Sequence, residues 1–75
     1  MAPEEFTRRL RLAQYMGYYG AGYERGLRRF FEGDTSDPQR HRAFLALVTS
    51  PEPRSAATGR GYRDGFAGQP PTPGN

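Results

Sequence analysis

A six-residue motif occurs twice in this chain of 75 residues and constrains the fold more than any other feature. Residues 22–27 read Gly-Tyr-Glu-Arg-Gly-Leu, and residues 61–66, 39 positions later, read Gly-Tyr-Arg-Asp-Gly-Phe. In an α-helix, residues four apart share a face, so each glycine pair would present a strip of bare backbone. Glycine costs about 1 kcal/mol per helical position relative to alanine, so paired helical glycines indicate a close contact. The motif therefore predicts helices that pack with little space between their backbones.

Rows of small residues at intervals of four extend this prediction. One row is Ala13, Gly17 and Ala21, and the other is Ala57, Gly61 and Gly65. A leucine at Gly17 or Gly61 should then overpack a helix interface. The positions predicted to pack helices together are Ala13, Gly17, Gly22, Gly26, Ala57, Gly61 and Gly65.

The length of the chain predicts a single small domain, residues 1–68, with a thin core. A chain of this size buries only about 60% of its unfolded surface. Closely packed helices or a partner, such as a second copy in a homodimer, would compensate for the thin core. The absence of cysteine excludes disulfides and thiolate metal sites, and the single histidine, His41, argues against a histidine-based metal site. No cofactor is expected.

The distribution of apolar residues argues against a membrane protein. No apolar run approaches the roughly 20 residues of a spanning helix, and the first residues lack the basic and apolar regions of a signal peptide. We therefore expect a cytoplasmic protein.

The positive charge of the chain comes entirely from arginine. The net charge is +3, and all eleven cationic side chains are arginine, with no lysine. Arginine presents a planar fork to phosphate and stacks on aromatic rings, which suits nucleic-acid contact. A GC-rich genome would produce the same bias, so composition alone leaves both explanations open.

The periodicity of the apolar residues predicts an all-α fold, either a helix hairpin or a three-helix bundle. The first segment, residues 4–32, should be helical with a kink or break near Gly20 and a C-cap at Gly33. Its apolar face is formed by Phe6, Leu10, Ala13, Met16, Gly17, Gly20, Tyr23, Leu27 and Phe31.

Turn and capping residues delimit two further helices. The second should start after a cap at Ser36 or Asp37 and end at residues 49–50, because Pro51 cannot continue a helix. The third should cover residues 54–67. Residues 69–75 contain three prolines and no large apolar residue, which predicts a flexible, disordered tail.

Arginines and tyrosines alternate along one side of the first segment. Arg11, Tyr15, Tyr18, Gly22, Arg25 and Arg29 follow each other at steps of three or four. Guanidinium groups and aromatic rings suit single-stranded nucleic acid, and they are equally the anchors of protein interfaces. A solvated helix face whose tyrosines pack on a neighbour is the third interpretation. The residues predicted to bind a partner are Arg11, Tyr15, Tyr18, Tyr23, Arg25, Arg29, Arg60, Tyr62 and Arg63.

The residues that could carry catalysis are few. The carboxylates are mostly interspersed with arginines, which is typical of charge compensation. His41 lies between two arginines, where a solvated residue is expected, and no serine or threonine stands in a nucleophile context. The sequence predicts a non-enzymatic binding protein with no catalytic and no metal-binding residues.

The stretch 59–68 resembles the ribosome modulation factor family, whose motif runs Arg-Gly-Tyr-x-x-Gly-x-x-Gly. Arg60, Gly61, Tyr62, Gly65 and Gly68 match it. The resemblance implies a small basic helical protein that attaches to the small ribosomal subunit and represses translation. The family's Trp-x-x-Gly-Trp and Asn-Pro-Tyr elements are absent.

The repeated glycines are also similar to those of Yae1-like assembly adaptors, which link proteins together. Two hypotheses follow: a regulator that binds RNA or the ribosome, and a protein-interaction module such as an adaptor or a phage-type inhibitor of a larger protein machine.

Overall fold

A computed structural model describes residues 1–72, and these residues form four α-helices, one short 3₁₀ helix and no strand. The prediction of an all-α fold is confirmed. The elements are α1 (Pro3–Ala13), α2 (Gly17–Glu32), α3 (Pro38–Ala46), a 3₁₀ turn (Leu47–Thr49) and α4 (Pro53–Phe66).

The helix boundaries follow from prolines and capping side chains. Proline occupies the first position of α1, α3 and α4, where its missing N–H costs nothing. The Asp37 carboxylate accepts a hydrogen bond of 3.1 Å from the Arg40 amide, and Gly33 ends α2 in the left-handed region at φ 67°. The cap at Asp37 and the C-cap at Gly33 are therefore confirmed.

The predicted first segment consists of two helices, and its break lies earlier than expected. The chain leaves α1 after Ala13 and re-enters a helix at Gly17, whose φ of 58° is left-handed and is accessible to glycine at little cost. Gly20 lies within α2 and is buried. A Cβ there would overlap the Ala13 carbonyl, so Gly20 allows the end of α1 to approach α2 rather than breaking the helix.

The centre of the fold is a close crossing of α2 and α4 at the two copies of the motif. Added Cβ atoms at Gly22 and Gly26 would overlap the backbone carbonyls of Thr58 and Tyr62 on α4. Reciprocally, Cβ atoms at Gly61 and Gly65 would overlap carbonyls on α2, those of Tyr19 and Tyr23. The four motif glycines therefore lie at the interface that the sequence predicts for them.

The contacts of this crossing repeat under the 39-residue offset of the motif. The contact of Gly22 with Thr58 corresponds to that of Gly61 with Tyr19, with the roles of the two helices exchanged. Gly22 meets Thr58 and Gly26, one turn later, meets Tyr62, so α2 and α4 run in the same direction. The two motif copies thus form an interface with approximate internal two-fold symmetry, as in an isologous dimer.

The row formed by Ala13, Gly17 and Ala21 includes positions outside any such interface. A Cβ added at Gly17 meets no atom within 4 Å, and Ala21 is exposed. The helix-packing role predicted for Gly17 is wrong, because the left-handed turn takes this residue away from the face of α2 that meets α4. Ala13 is buried against the core cluster, and Ala57 packs on it while partly exposed.

Two side chains of α2, Tyr23 and Leu27, are fully buried at the centre of the core. The remaining buried apolar side chains are Ala13, Tyr19, Ala56 and Tyr62. The molecule measures 35 × 29 × 14 Å, and this flat shape leaves several large apolar side chains at the surface. A core this thin depends on the close contact that the glycines permit.

Residues 69–72 contain neither helix nor strand and follow the surface of the bundle. The buried Tyr23 hydroxyl donates to the Gln69 carbonyl oxygen at 2.6 Å, and the Thr72 amide donates to the Tyr19 hydroxyl at 3.0 Å. The segment has no large apolar side chain to bury, and the two hydrogen bonds that attach it to the bundle involve its backbone groups. Residues 73–75 of the predicted tail lie outside the described residues.

A chain that ends at Gly68 should be less stable than the full chain by about 1–3 kcal/mol, because the Tyr23 hydroxyl loses its Gln69 acceptor and the Tyr19 hydroxyl, which keeps its bond to Asp64, loses the Thr72 amide. Urea unfolding followed by circular dichroism measures this difference. Tyr23→Phe should cost about 1 kcal/mol in the full chain and close to nothing in the shortened one. Equal stability of the two chain lengths would show that these hydrogen bonds contribute nothing.

Candidate functional site

The arginine–tyrosine row predicted for the first segment is divided between two places. Arg11 lies on α1, and Tyr15 lies in the turn between α1 and α2 with 88% of its surface exposed. Tyr18 lies at the start of α2 beneath the Arg54 guanidinium, 5.9 Å from its ring centre. Arg25 lies in the middle of α2 and Arg29 near its end, more than one helical turn from Tyr18. The prediction of a single binding face is therefore wrong, because the chain reverses before Gly17 and α1 folds back along α2, where the Phe6 and Phe31 rings lie 4.1 Å apart.

Four other predicted partner-binding residues lie in or beside the motif copies. Tyr23 and Tyr62 are buried, at 0% and 3% exposure, so they support the core and do not offer a surface. Arg60 is partly buried on α4, and exposed Arg63 lies with its Nε 3.5 Å from the Asp64 carboxylate.

Arg25 and Arg29 border an open cleft of about 200 Å³ where α2, α3 and α4 meet. We call it the arginine cleft. Its lining residues are Arg25, Arg28, Arg29, Glu32, Asp34, Arg40, His41, Phe44 and Tyr62. Four arginines and two carboxylates give this surface an excess of positive charge.

The four arginines of the cleft have different contacts. The Arg25 guanidinium lies 5.5 Å from the centre of the Phe44 ring, a cation–π arrangement, and Arg25 forms no ion pair within 4.0 Å in the part of the chain that is described. Arg29 donates a hydrogen bond of 2.7 Å to the Ser36 carbonyl oxygen and so connects α2 to the loop before α3. Arg28 and Arg40 lie 3.9 and 3.6 Å from Glu24 and Asp37, and these exposed pairs contribute little to stability.

A cluster of aromatic rings forms the inner wall of the arginine cleft. The Phe44 and Tyr62 rings are stacked with centres 4.7 Å apart, and the His41 ring lies 4.5 Å from that of Phe66. These contacts join α3 to α4 and hold Arg40 and His41 opposite the arginines of α2.

His41 is bound to Tyr62 at the base of the cleft, where the sequence predicts a solvated residue. Its Nδ1 lies 2.6 Å from the Tyr62 hydroxyl oxygen, and its side chain is half-buried. Burial lowers the pKa of His41, and the positive charges of Arg29 and Arg42 lower it further. Burial raises the pKa of Tyr62, which keeps its hydroxyl protonated. A neutral His41 can therefore accept a hydrogen bond from the Tyr62 hydroxyl at Nδ1 and carry its own proton on Nε2.

The chemistry of the arginine cleft is that of an anion site. Its volume lies below the roughly 300–1,000 Å³ of pockets that enclose small-molecule cofactors, so its interior suits one phosphate or carboxylate group, while the exposed Arg28 and Arg40 can contact further anionic groups of an extended ligand. Hydrogen bonds from Ser36 lower the pKa of Asp34. This carboxylate therefore stays charged, and it limits the number of anionic groups that the cleft can attract. No group of three His, Cys, Asp or Glu side chains within residues 1–72 could hold a metal ion.

A second surface, of opposite character, lies at the turn between α1 and α2. Leu12, Tyr15, Met16 and Pro71 surround an open, mostly apolar depression. Of the predicted arginine–tyrosine row it contains only Tyr15, and it lies at the start of α2, away from the arginine cleft. Apolar side chains grouped this way suit contact with a protein surface.

The sequence predicted only three of the nine residues that line the arginine cleft, namely Arg25, Arg29 and Tyr62. Arg28, Arg40, His41 and Phe44 line it and were not predicted as binding residues. One signal was available, because the cap at Asp37 and Pro38 places Arg40 and His41 in the first turn of α3, next to the end of α2. Their proximity to Tyr62 depends on the crossing of α2 and α4, which no local pattern specifies.

Comparison with protein-family models, with curated proteins and with solved structures found no match. None of the helices within residues 1–72 is long and apolar enough to cross a membrane.

Proposed function

We propose that this protein is a non-enzymatic regulator that attaches to an RNA-rich assembly, of which the ribosome is the leading example, through the arginine cleft. The observation that carries this proposal is the convergence of Arg25, Arg28, Arg29 and Arg40 around one open cleft with an aromatic wall. Two of these residues, Arg25 and Arg29, belong to the face that the sequence predicts for a partner.

The geometry of Arg25 supports RNA over other polyanions. One face of its guanidinium covers the Phe44 ring, and the residue is exposed, so the other face is open to solvent. Unpaired bases stack on arginine planes and on aromatic rings in single-stranded RNA complexes. A base on Arg25 and phosphates on Arg28, Arg29 and Arg40 would use both properties of the guanidinium group.

The lining of the arginine cleft also supports binding without catalysis. The described residues that line it include no serine, threonine, cysteine or lysine that could serve as a nucleophile. The hydroxyl of Tyr62 is bound to His41 within the core. Translation in the cytoplasm is the setting that we propose, on the basis of the resemblance of residues 59–68 to the ribosome modulation factor family.

The affinity for a single-stranded oligouridylate should fall steeply as salt rises. Contact with three or four phosphates predicts a slope of about −2 to −3 for log K against log [salt], because each contact releases bound counterions. Fluorescence anisotropy with a labelled decamer, at sodium chloride concentrations from low to physiological, measures this slope. Absence of binding at low salt, or an affinity that salt does not change, would contradict the proposal.

The second candidate function is that of a protein-interaction module, and the apolar depression at the α1–α2 turn favours it. Tyr15, Tyr18 and Leu12 are exposed by 88%, 55% and 45%, which is unusual for side chains of this size in one small region. Rigid aromatic side chains are typical anchors of protein interfaces. A partner that remains bound after ribonuclease treatment and at high salt would support this function instead.

A further inference from the structure

The chain's single histidine, His41, lines the arginine cleft, and its two ring nitrogens have different surroundings. The Nδ1 atom of His41 is engaged by the Tyr62 hydroxyl at 2.6 Å. Its Nε2 atom has no hydrogen-bond partner among residues 1–72 and is not sealed from solvent. The ring therefore has one nitrogen fixed in the core and one nitrogen free to meet a ligand.

Positive charges predominate around His41 on α2 and α3, whereas the intervening loop contributes a carboxylate and α4 an uncharged hydroxyl. The groups that face it are Arg25, Arg28, Arg29 and Glu32 on α2, Asp34 in the following loop, Arg40 and Arg42 on α3, and Tyr62 on α4. Nearby arginines disfavour the protonated imidazole. An anion in the cleft would offset those charges and would accept a hydrogen bond from the imidazolium.

We propose that His41 takes up a proton when an RNA phosphate binds in the arginine cleft, so that the protein holds RNA more tightly as the pH falls. This inference rests on the proposed function and adds a regulatory property to the same site. On protonation, Nδ1–H donates to the Tyr62 hydroxyl oxygen, and Nε2–H is available to donate to a phosphate oxygen.

The direction of the effect follows from linkage. The pKa of His41 without RNA lies below the ordinary histidine value. A bound phosphate raises this pKa, so RNA affinity increases as the pH falls from above the RNA-bound pKa to below the RNA-free pKa. A rise of one unit corresponds to a tenfold gain in affinity between those limits. Histidine is the side chain that ordinarily changes charge in the interval from about pH 5 to 8, whereas carboxylates titrate at lower pH.

Nuclear magnetic resonance can test this proposal directly, because the ring protons of the one histidine can be assigned without ambiguity. The pKa of His41 is measured from the pH dependence of these signals in the full chain. One sample contains a saturating oligouridylate decamer without a terminal phosphate, and the other contains sodium chloride at the same ionic strength. We expect the RNA to raise the pKa by at least half a unit and the affinity to increase as the pH falls from 7.5, with a total gain of at least about threefold once the pH lies below the RNA-free pKa.

The His41→Gln variant provides the matched control, because its side-chain amide can accept a hydrogen bond from the Tyr62 hydroxyl but does not titrate. Because His41 lines the cleft, the readout for this variant is not its affinity at pH 7.5 but the ratio of its affinities at pH 5.5 and pH 7.5, which should lose the histidine-dependent gain. The ring titration of the parent chain decides the question even if this variant does not fold.

The possible failures are distinct. If RNA binds with the expected salt slope but changes the pKa of His41 by less than about 0.2 unit, the proton linkage is wrong and the proposed function stands. If the decamer does not bind at either pH, both proposals are overturned.

Discussion

Alanine at Gly26 or at Gly65 should destabilise the protein by about 3 kcal/mol or more, although alanine favours a helix over glycine by about 1 kcal/mol. The added Cβ would overlap a backbone carbonyl of the opposite helix, on Tyr62 or Tyr23 respectively, and a backbone cannot give way as a side chain can. A loss of this size is a large part of the roughly 5–15 kcal/mol that holds a small domain together. Urea unfolding followed by far-ultraviolet circular dichroism measures it.

Two substitutions away from the crossing provide controls for this result. Ala21→Leu adds more bulk to the exposed side of α2 and should change stability by less than about 0.5 kcal/mol. Gly17→Ala meets no neighbouring atom and should cost only the roughly 1–2 kcal/mol of a left-handed backbone. If Gly26→Ala and Gly65→Ala are as stable as the parent, the helices do not cross at their glycines.

Replacement of Arg25 and Arg29 by glutamine should weaken oligouridylate binding about tenfold or more at low salt, which corresponds to about 1.4 kcal/mol. Arg25 would lose its stack on Phe44 and its proposed phosphate contact, and Arg29 would lose its proposed phosphate contact. The salt slope should also become shallower by about one unit or somewhat more, because fewer counterions are released. Fluorescence anisotropy measures both quantities.

The matched control changes the net charge equally at the other end of the molecule. Replacement of Arg11 and Arg54 by glutamine removes two positive charges near Tyr15 and Tyr18. We expect this variant to lose less than about threefold in affinity, through the general field alone. Equal losses in the two double variants would mean that RNA responds to total charge and not to the cleft.

The crossing of the helices was predictable because its cause is local and is repeated in the sequence. Gly22 and Gly26, like their counterparts 39 positions later, lie four residues apart and therefore on one helical face. The caps at Gly33 and Asp37 were predictable for the same reason, since a cap depends on residues adjacent in the chain. The row Ala13, Gly17 and Ala21 has the same spacing, but the helix is interrupted between Ala13 and Gly17, so residues four apart in the sequence do not share a helical face there.

The arginine cleft could be predicted only in part, because it combines residues from three helices. Arg25 and Arg29 followed from their spacing on α2, whereas the position of His41 depends on Tyr62, 21 residues further along the chain. The contacts of residues 69–72 could not be predicted from the sequence for a different reason. Gln69 acts through its backbone carbonyl, which every residue possesses, so no side-chain pattern marks it.

Amide chemical shifts measured during a titration with the oligouridylate decamer show directly whether RNA binds at the arginine cleft. We expect the largest changes at residues 25–44, around Arg29 and His41, and little change at the turn that contains Tyr15. The largest changes around Leu12, Tyr15 and Tyr18, or no changes at saturating RNA, would contradict binding at the arginine cleft.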